Sequence, residues 1–208
     1  MPGFDHVEFL VEEPSAEEAL YNLIPQILGQ DFSFLVYPHQ GKLDLLKELP
    51  SRLRGYRAWL PESAGIVVLI DADAKDCREQ KAALESVARQ AGFLTRSSAP
   101  GRRFQVLNRL AVEELEAWFF GDVGALRTAY PGISSSLGER AGYRDPDAIR
   151  GGTWEALERE LQRAGHHREG LAKIKAAREI SAHMEPARNR SRSFQMFRQG
   201  LLDLVGTG

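Results

Sequence analysis

The sequence is poor in the residues that build cross-linked or membrane-spanning proteins. It has one cysteine, Cys77, among 208 residues, which excludes an internal disulfide framework and a cysteine-rich zinc site. Its longest apolar runs, such as residues 65–70, fall far short of the roughly 20 residues that cross a bilayer. No basic stretch followed by a long apolar run stands near the start, as in a signal peptide. We therefore expect a cytoplasmic protein without membrane segments.

Two common signatures of chemistry are also missing. No G-x-x-x-x-G-K-[ST] loop is present, so we do not expect the chain to hydrolyse ATP. The five histidines lack the spacing of zinc ligands, which favours ordinary surface or core roles. With 43% hydrophobic and 27% charged residues, the composition is that of a folded globular protein.

The net charge is small, but the charged residues are unevenly distributed along the chain. The net charge is -2, yet residues 1–20 carry six acidic residues and no Lys or Arg. Residues 171–200 carry seven basic residues and two acidic ones. This asymmetry predicts an acidic pole and a basic pole.

The first half alternates between strand and helix patterns. Apolar, β-branched runs predict strands at residues 6–11, 32–37, 65–70 and 104–110. Helical spacing follows at residues 16–24, at 43–53, where Pro50 is expected to interrupt the helix, and up to about residue 90. Such alternation predicts an α/β fold with a mainly parallel sheet flanked by helices.

After residue 110 only helix patterns remain. They cover residues 112–120, 123–130, 154–163, 171–183 and 194–205, with a predicted loop region at 131–152. We expect residues 1–110 to form the α/β core. Residues 111–208 are expected to form a helical extension packed on that core, within the same structural domain.

Three carboxylates follow predicted strands. Asp71 and Asp73 come after the buried strand at 65–70, and Glu12 ends the first strand. Open α/β sheets place their ligands at the carboxyl ends of the strands, and carboxylate oxygens suit Mg²⁺. The pattern predicts a shared site for Mg²⁺ or Mn²⁺, the alternative being a solvated loop with unrelated charges.

A helix predicted at 112–120 supplies a further candidate ligand. Glu113 and Glu116 would share one of its faces, and sites that transfer phosphoryl groups with two metal ions need several carboxylates. Glu116 is the preferred fourth ligand. Alternatively, these acids simply suit the dipole of the helix's first turn.

Basic residues near the predicted site could bind a nucleic-acid backbone. The candidates for phosphate contacts are Lys42, Lys173, Arg188, Arg190 and Arg192. A solvated helix surface explains several of these charges equally well.

The sequence resembles a bacterial family, domain of unknown function 4276, whose members are similar to Toprim domains. The resemblance is carried by residues 11–15, 40–42, 71–73, 108–109, 113–122, 143–152, 170–173 and 193–194. In Toprim domains an early strand ends in Glu and a later one in Asp-X-Asp, which correspond to Glu12, Asp71 and Asp73. Glu13 stands where many Toprim proteins have Gly, so Glu13 and Glu17 stay open as alternatives to Glu12.

The resemblance implies phosphoryl transfer on nucleic acids. Toprim domains occur in topoisomerases, primases, recombination nucleases and overcoming-lysogenization-defect nucleases, and compact members often act with an ATPase partner in phage defence. The leading hypothesis is a Mg²⁺-dependent nuclease acting on DNA or RNA. The alternatives are a non-catalytic module that regulates an ATPase and a metal-dependent nucleotide-sugar transferase.

Overall fold

A computed structural model describes residues 3–72 and 77–206 of the chain. Its four strands are β1 (His6–Val11), β2 (Ser33–Pro38), β3 (Ala64–Asp71) and β4 (Val106–Ala111). They form one parallel sheet in the order β2-β1-β3-β4. The predicted α/β fold with a parallel sheet is therefore confirmed.

Eight α-helices surround or extend this sheet within the described residues. They are α1 (Pro14–Leu28), α2 (Lys42–Trp59), α3 (Cys77–Gln90), α4 (Glu116–Phe120), α5 (Val123–Ala129), α6 (Thr153–Arg163), α7 (Lys173–Ser181) and α8 (Arg192–Val205). Two short 3-10 helices, Leu137–Glu139 and Pro146–Ala148, lie within the predicted loop region. The second half is helical, as predicted. No helix that the structure describes is long and apolar enough to cross a membrane.

Both faces of the sheet are covered, which explains the unbroken apolar run of β3. Ile66 and Val68 pack with α2 and α3 on one face. Val67 and Leu69 face the larger core, to which α1 and α8 contribute. Alternate residues of a strand point to opposite faces, so β3 is buried on both.

Gly65 in β3 allows α8 to lie close to the sheet. A Cβ atom at this position would lie 3.0 Å from the Leu204 side chain, closer than ordinary van der Waals contact. The small residue thus has a packing role within a strand, where glycine is otherwise unfavourable.

The helical half shares the larger core with the sheet. Trp118 of α4 packs against Phe194 and Phe197 of α8, with ring centroids 5.1 and 5.0 Å apart. The Trp118 indole N–H donates to the Ser193 hydroxyl at 3.0 Å, which satisfies the one polar atom of a buried side chain. These contacts hold α4 at a fixed place beside the sheet.

Two predicted details are wrong. Helix α2 continues through Pro50 because Leu45, Leu49, Leu53 and Tyr56 are buried along one of its faces. An internal proline costs about 3 kcal/mol, whereas burying each such side chain gains roughly 1.5–3 kcal/mol.

The predicted start of the helix at 112–120 is also wrong. The helix begins only at Glu116, since Glu113 has a positive φ of 62°, a conformation that does not continue a right-handed helix. Glu113 and Glu116 therefore do not share a helix face.

Candidate functional site

The topology brings Glu12 and Asp71 to the same edge of the sheet. Strands β1 and β3 are parallel neighbours, with Val11 paired to Leu69, so the residues that follow reach the carboxyl edge together. The Asp71 backbone N–H donates a hydrogen bond to Glu12 Oε2 at 3.1 Å. This contact fixes the Glu12 carboxylate at the end of β3.

Asp71 lies in a strongly acidic environment. Burial raises the pKa of its carboxyl well above the ordinary value, and the negative charges of Glu116, Glu12, Glu13 and Glu114 raise it further. Such a group loses its proton readily only when a cation replaces it. The cluster is therefore poised to bind either protons or a positive ion.

Glu116 is the most buried carboxylate of this cluster. It is only 1% exposed, and burial raises its pKa to about 7 although the nearby Lys173 lowers it. Its Oε1 lies 4.0 Å from Lys173 Nζ, while its Oε2 has no hydrogen-bond partner among the described residues. A buried oxygen of this kind is rare in folded proteins and calls for a ligand.

Lys173 brings a positive charge into the acidic cluster. Its ammonium group lies 5.2 Å from the centroid of the Trp154 ring. Burial alone would lower its pKa, but Glu116, Glu13 and other carboxylates raise it overall. Lys173 is therefore charged and partly neutralises the acids around it.

Glu114 stabilises the start of α6. Its Oε2 accepts hydrogen bonds from the Thr153 backbone N–H at 2.9 Å, the Thr153 hydroxyl at 2.8 Å and the Trp154 backbone N–H at 2.9 Å. These groups form the start of α6, where backbone N–H groups lack partners within the helix. Glu114 thus caps α6 from 39 residues away.

The carboxylates have the oxygen chemistry that a hard divalent cation prefers. Glu12, Asp71 and Glu116 offer the oxygen ligands that Mg²⁺ and Mn²⁺ prefer, and the unpartnered Oε2 of Glu116 has a free lone pair for one. Asp73 lies outside the described residues. Within residues 3–72 and 77–206, no group of three or more His, Cys, Asp or Glu side chains is already arranged around a metal position.

Two predicted basic residues lie at this edge of the sheet. Lys173 contacts Glu116, and Lys42 begins α2, directly after Gly41, whose backbone N–H donates to the Glu12 carbonyl at 2.9 Å. Lys42 Nζ also lies 3.5 Å from Gln80 Oε1. Both lysines can therefore contribute charge beside the carboxylates.

The other predicted basic residues lie elsewhere. Arg188 binds the buried Asp122, with Nε 3.2 Å from Oδ2, and Arg190 donates to the Gly138 carbonyl at 3.4 Å. Arg192 is exposed at the start of α8 and lines a separate cavity beside β4.

Two further cations line that cavity, Lys81 and Arg109, and neither is among the predicted site residues. A signal for Arg109 is visible in the sequence, since Asn108 and Arg109 interrupt an apolar strand. Lys81 has no such signal, because a lysine on a helix is ordinarily a solvated residue.

Fold and site together define an α/β protein with a carboxylate cluster at the carboxyl edge of a parallel sheet. The chain belongs to the family described as domain of unknown function 4276, whose model matches residues 11–202. Comparisons with curated proteins and with solved structures gave no match. The resemblance to this family is thereby confirmed, while the relation to Toprim domains stays a prediction.

Proposed function

We propose that the chain is a cytoplasmic, metal-dependent nuclease that hydrolyses phosphodiester bonds in DNA or RNA. The observation that carries the proposal is the cluster of Glu12, Asp71 and Glu116 at the carboxyl edge of the sheet, with one buried oxygen of Glu116 lacking a partner. Ligands of α/β proteins bind at this edge.

Glu12, Asp71 and Glu116 would hold Mg²⁺ or Mn²⁺, with Asp73 as a further ligand. The bound ion would supply an activated water and neutralise charge on the scissile phosphate. The hydrogen bond from the Asp71 backbone to Glu12 keeps the Glu12 carboxylate in place before the ion arrives, which is what a preorganised site requires.

Lys173 is suited to hold the phosphate group itself. Its side chain lies between Glu116 and a cavity of about 530 Å³ that Glu13, Ser15 and Lys175 also line. When a metal ion takes over the neutralisation of Glu116, the ammonium group of Lys173 becomes available to an anionic substrate. Such a cation beside developing negative charge stabilises a transition state.

One observation favours a second candidate function, a non-catalytic module that regulates an ATPase. Lys173 already supplies a positive charge to Glu116, and Glu114 is committed to capping α6. A cluster neutralised in this way can persist without a metal ion. In either function, an ATPase partner and a role in phage defence rest on analogy with Toprim proteins.

The proposal is tested by metal titration and by nuclease assays. Calorimetry should detect Mn²⁺ binding to the wild type, and labelled DNA and RNA should be cut only when Mn²⁺ or Mg²⁺ is present. Asp71→Asn should abolish both. The exposed Asp31→Asn removes the same charge elsewhere and should change neither.

The outcomes separate the hypotheses. Metal binding lost in Asp71→Asn, with cleavage of nucleic acid, supports the nuclease. No metal binding to the wild type would overturn the proposal in favour of the regulatory module. Metal binding together with turnover of nucleotide sugars, but not of nucleic acids, would instead identify a transferase.

A further inference from the structure

The outer edge of β4 borders a long groove beneath α3 and α8. One cavity of about 1030 Å³ reaches from Phe104 towards Lys81 and Arg109. A second cavity of about 410 Å³ starts at the same two cations and reaches Val112. Because Lys81 and Arg109 line both cavities, the cavities lie next to each other along the strand, and together they are called the groove below.

Arg109 lines both cavities of this groove. It is only 4% exposed, and its Nε and Nη2 atoms have no hydrogen-bond partners among the residues that the structure describes. A Cβ atom on Gly200 of α8 would lie 2.6 Å from Nη2, so the glycine leaves room for the guanidinium group. A buried cation with unused donors is costly and points to an anionic ligand.

The groove carries a surplus of positive charge. Its two cavities are lined by seven cations, namely Arg78, Lys81, Arg96, Arg102, Arg103, Arg109 and Arg192. Among the residues that the structure describes, two acids also line the cavities, Asp147 and Asp203. Asp203 pairs with Arg96, and Asp147 accepts hydrogen bonds from Ser191 and Ser193.

Burial and the repulsion of neighbouring cations both lower the pKa values of Arg109 and Lys81. Burial lowers the pKa of Arg109 to about 10, with Arg96 contributing, although Asp203 and Glu85 oppose the change. Burial and Arg109 also lower the pKa of Lys81. A bound anion would relieve this repulsion.

We infer that the groove binds phosphate groups, with Arg109 and Lys81 as the central contacts. Several cations in one groove suit a phosphate better than a single carboxylate, and the forked guanidinium group of arginine matches phosphate oxygens. The phosphates belong either to a nucleic-acid strand or to a free phosphate compound.

The position of the groove connects it with the acidic cluster. Val112, at its upper end, directly follows Ala111, which pairs with Asp71 across the sheet. A nucleic-acid strand bound along β4 would therefore reach the carboxylates. This use of the groove rests on the proposed nuclease function, whereas phosphate binding by Arg109 and Lys81 does not.

The test measures phosphate and DNA binding in the presence of EDTA. EDTA removes divalent metal ions, so that the acidic cluster cannot bind phosphate groups through them. The probes are inorganic phosphate, followed by thermal stabilisation, and a short fluorescein-labelled DNA strand, followed by anisotropy. Lys81→Ala should weaken binding roughly tenfold, as expected for one charge-assisted contact. Lys47→Ala, on the exposed surface of α2, removes the same charge outside the groove and should have little effect.

A second variant changes geometry without changing charge. In Gly200→Ala the new methyl group would collide with Arg109 Nη2, so the guanidinium group must move and binding should weaken. Gly55→Ala is the matched control, since its Cβ meets no atom within 4 Å. Circular dichroism verifies that each variant is folded.

The results distinguish a nucleic-acid strand from a free phosphate compound as the ligand, or they exclude the site. Loss of strand binding in Lys81→Ala and Gly200→Ala supports a nucleic-acid path, and loss of phosphate binding alone supports a small phosphate compound. Absence of binding to both probes, or equal losses in Lys81→Ala and Lys47→Ala, would overturn the inference. Asp71→Asn should retain binding in EDTA, so that failure of the nuclease proposal leaves this result intact.

Discussion

Single residues decide what the acidic cluster can bind. Glu116 and Asp71 are held in a buried, negatively charged environment, and each must be neutralised by a proton or a cation. Proton binding and metal binding therefore compete at the same oxygens. This competition can be measured through the stability of the protein.

The stability of the metal-free protein should fall as the pH rises from about 4.5 to about 7. The folded protein holds the Glu116 proton up to about pH 7, whereas the ordinary value of 4.5 applies after unfolding. The folded state then binds more protons in this window, and the loss is on the order of 3 kcal/mol. Chemical denaturation at several pH values checks this.

Two controls accompany this measurement. Glu116→Gln should reduce the decline, because the amide does not titrate, while Asp71, whose pKa is also raised, continues to contribute. Mn²⁺ should restore stability to the wild type at pH 7.5 but less so to Glu116→Gln. If the wild type and Glu116→Gln show the same pH profile, Glu116 is not the group that holds the proton.

Glu114 should matter for stability and little for metal binding. Glu114→Ala removes the acceptor of three hydrogen bonds at the start of α6 and should lower the free energy of unfolding by about 1–2 kcal/mol. Urea denaturation measures this loss. Glu62→Ala, at an exposed site, serves as the control, and loss of Mn²⁺ binding in Glu114→Ala would instead make Glu114 a ligand.

Individual elements show how far the sequence determines the fold. The β-branched run at 65–70 could be predicted as a buried strand because few other structures accommodate it. The course of α2 through Pro50 could not, since it depends on burial against the sheet. The start of α4 depends in the same way on the backbone of Glu113, which local sequence does not fix.

The site was predictable only in part, for the same reason. Glu12 and Asp71 end strands, and parallel strands bring their carboxyl ends to one edge. The partner of Glu114 is Thr153, and Arg109 lines the same cavities as Lys81. Such pairs arise from tertiary packing and leave no spacing pattern in the sequence.

The contact between β3 and α8 yields a prediction at the level of elements. Gly65→Val should destabilise the fold by about 1–3 kcal/mol, because the added atoms overlap Leu204. Leu204→Ala should also lower the free energy of unfolding by itself. The loss in the double variant should be smaller than the sum of the losses in the two single variants. If urea denaturation shows that the two losses of unfolding free energy are strictly additive, the two residues do not share this space.

Across the whole molecule, charges of opposite sign are associated with neighbouring strands of the sheet. The acidic cluster lies at the end of β3, and the cationic groove runs along β4 beside it. A chain with a net charge of -2 thus offers phosphates one attractive surface and one that repels them until a cation binds.

This arrangement predicts how metal ions change strand binding. At constant ionic strength, Mn²⁺ should strengthen binding of a labelled DNA strand roughly tenfold, since the ion turns repulsion at Asp71 into attraction. Asp71→Asn should bind at least as tightly as the wild type in EDTA but gain little from Mn²⁺. If anisotropy shows the same increase in DNA affinity in both proteins, the Mn²⁺ ion responsible binds at a site other than the acidic cluster.

The position of α8 against β4 also affects how the protein is made. Gly200 of α8 lies against Leu107 and Arg109 of β4, although residues 192–205 are synthesised long after residues 106–111. At the usual rate of translation the delay is roughly 4–16 s. During this time the face of β4 that α8 covers in the folded protein is exposed, and such transiently exposed apolar surface makes a chain prone to aggregate. Faster translation of the intervening segment, or a chaperone that covers β4, should therefore increase the yield of folded protein.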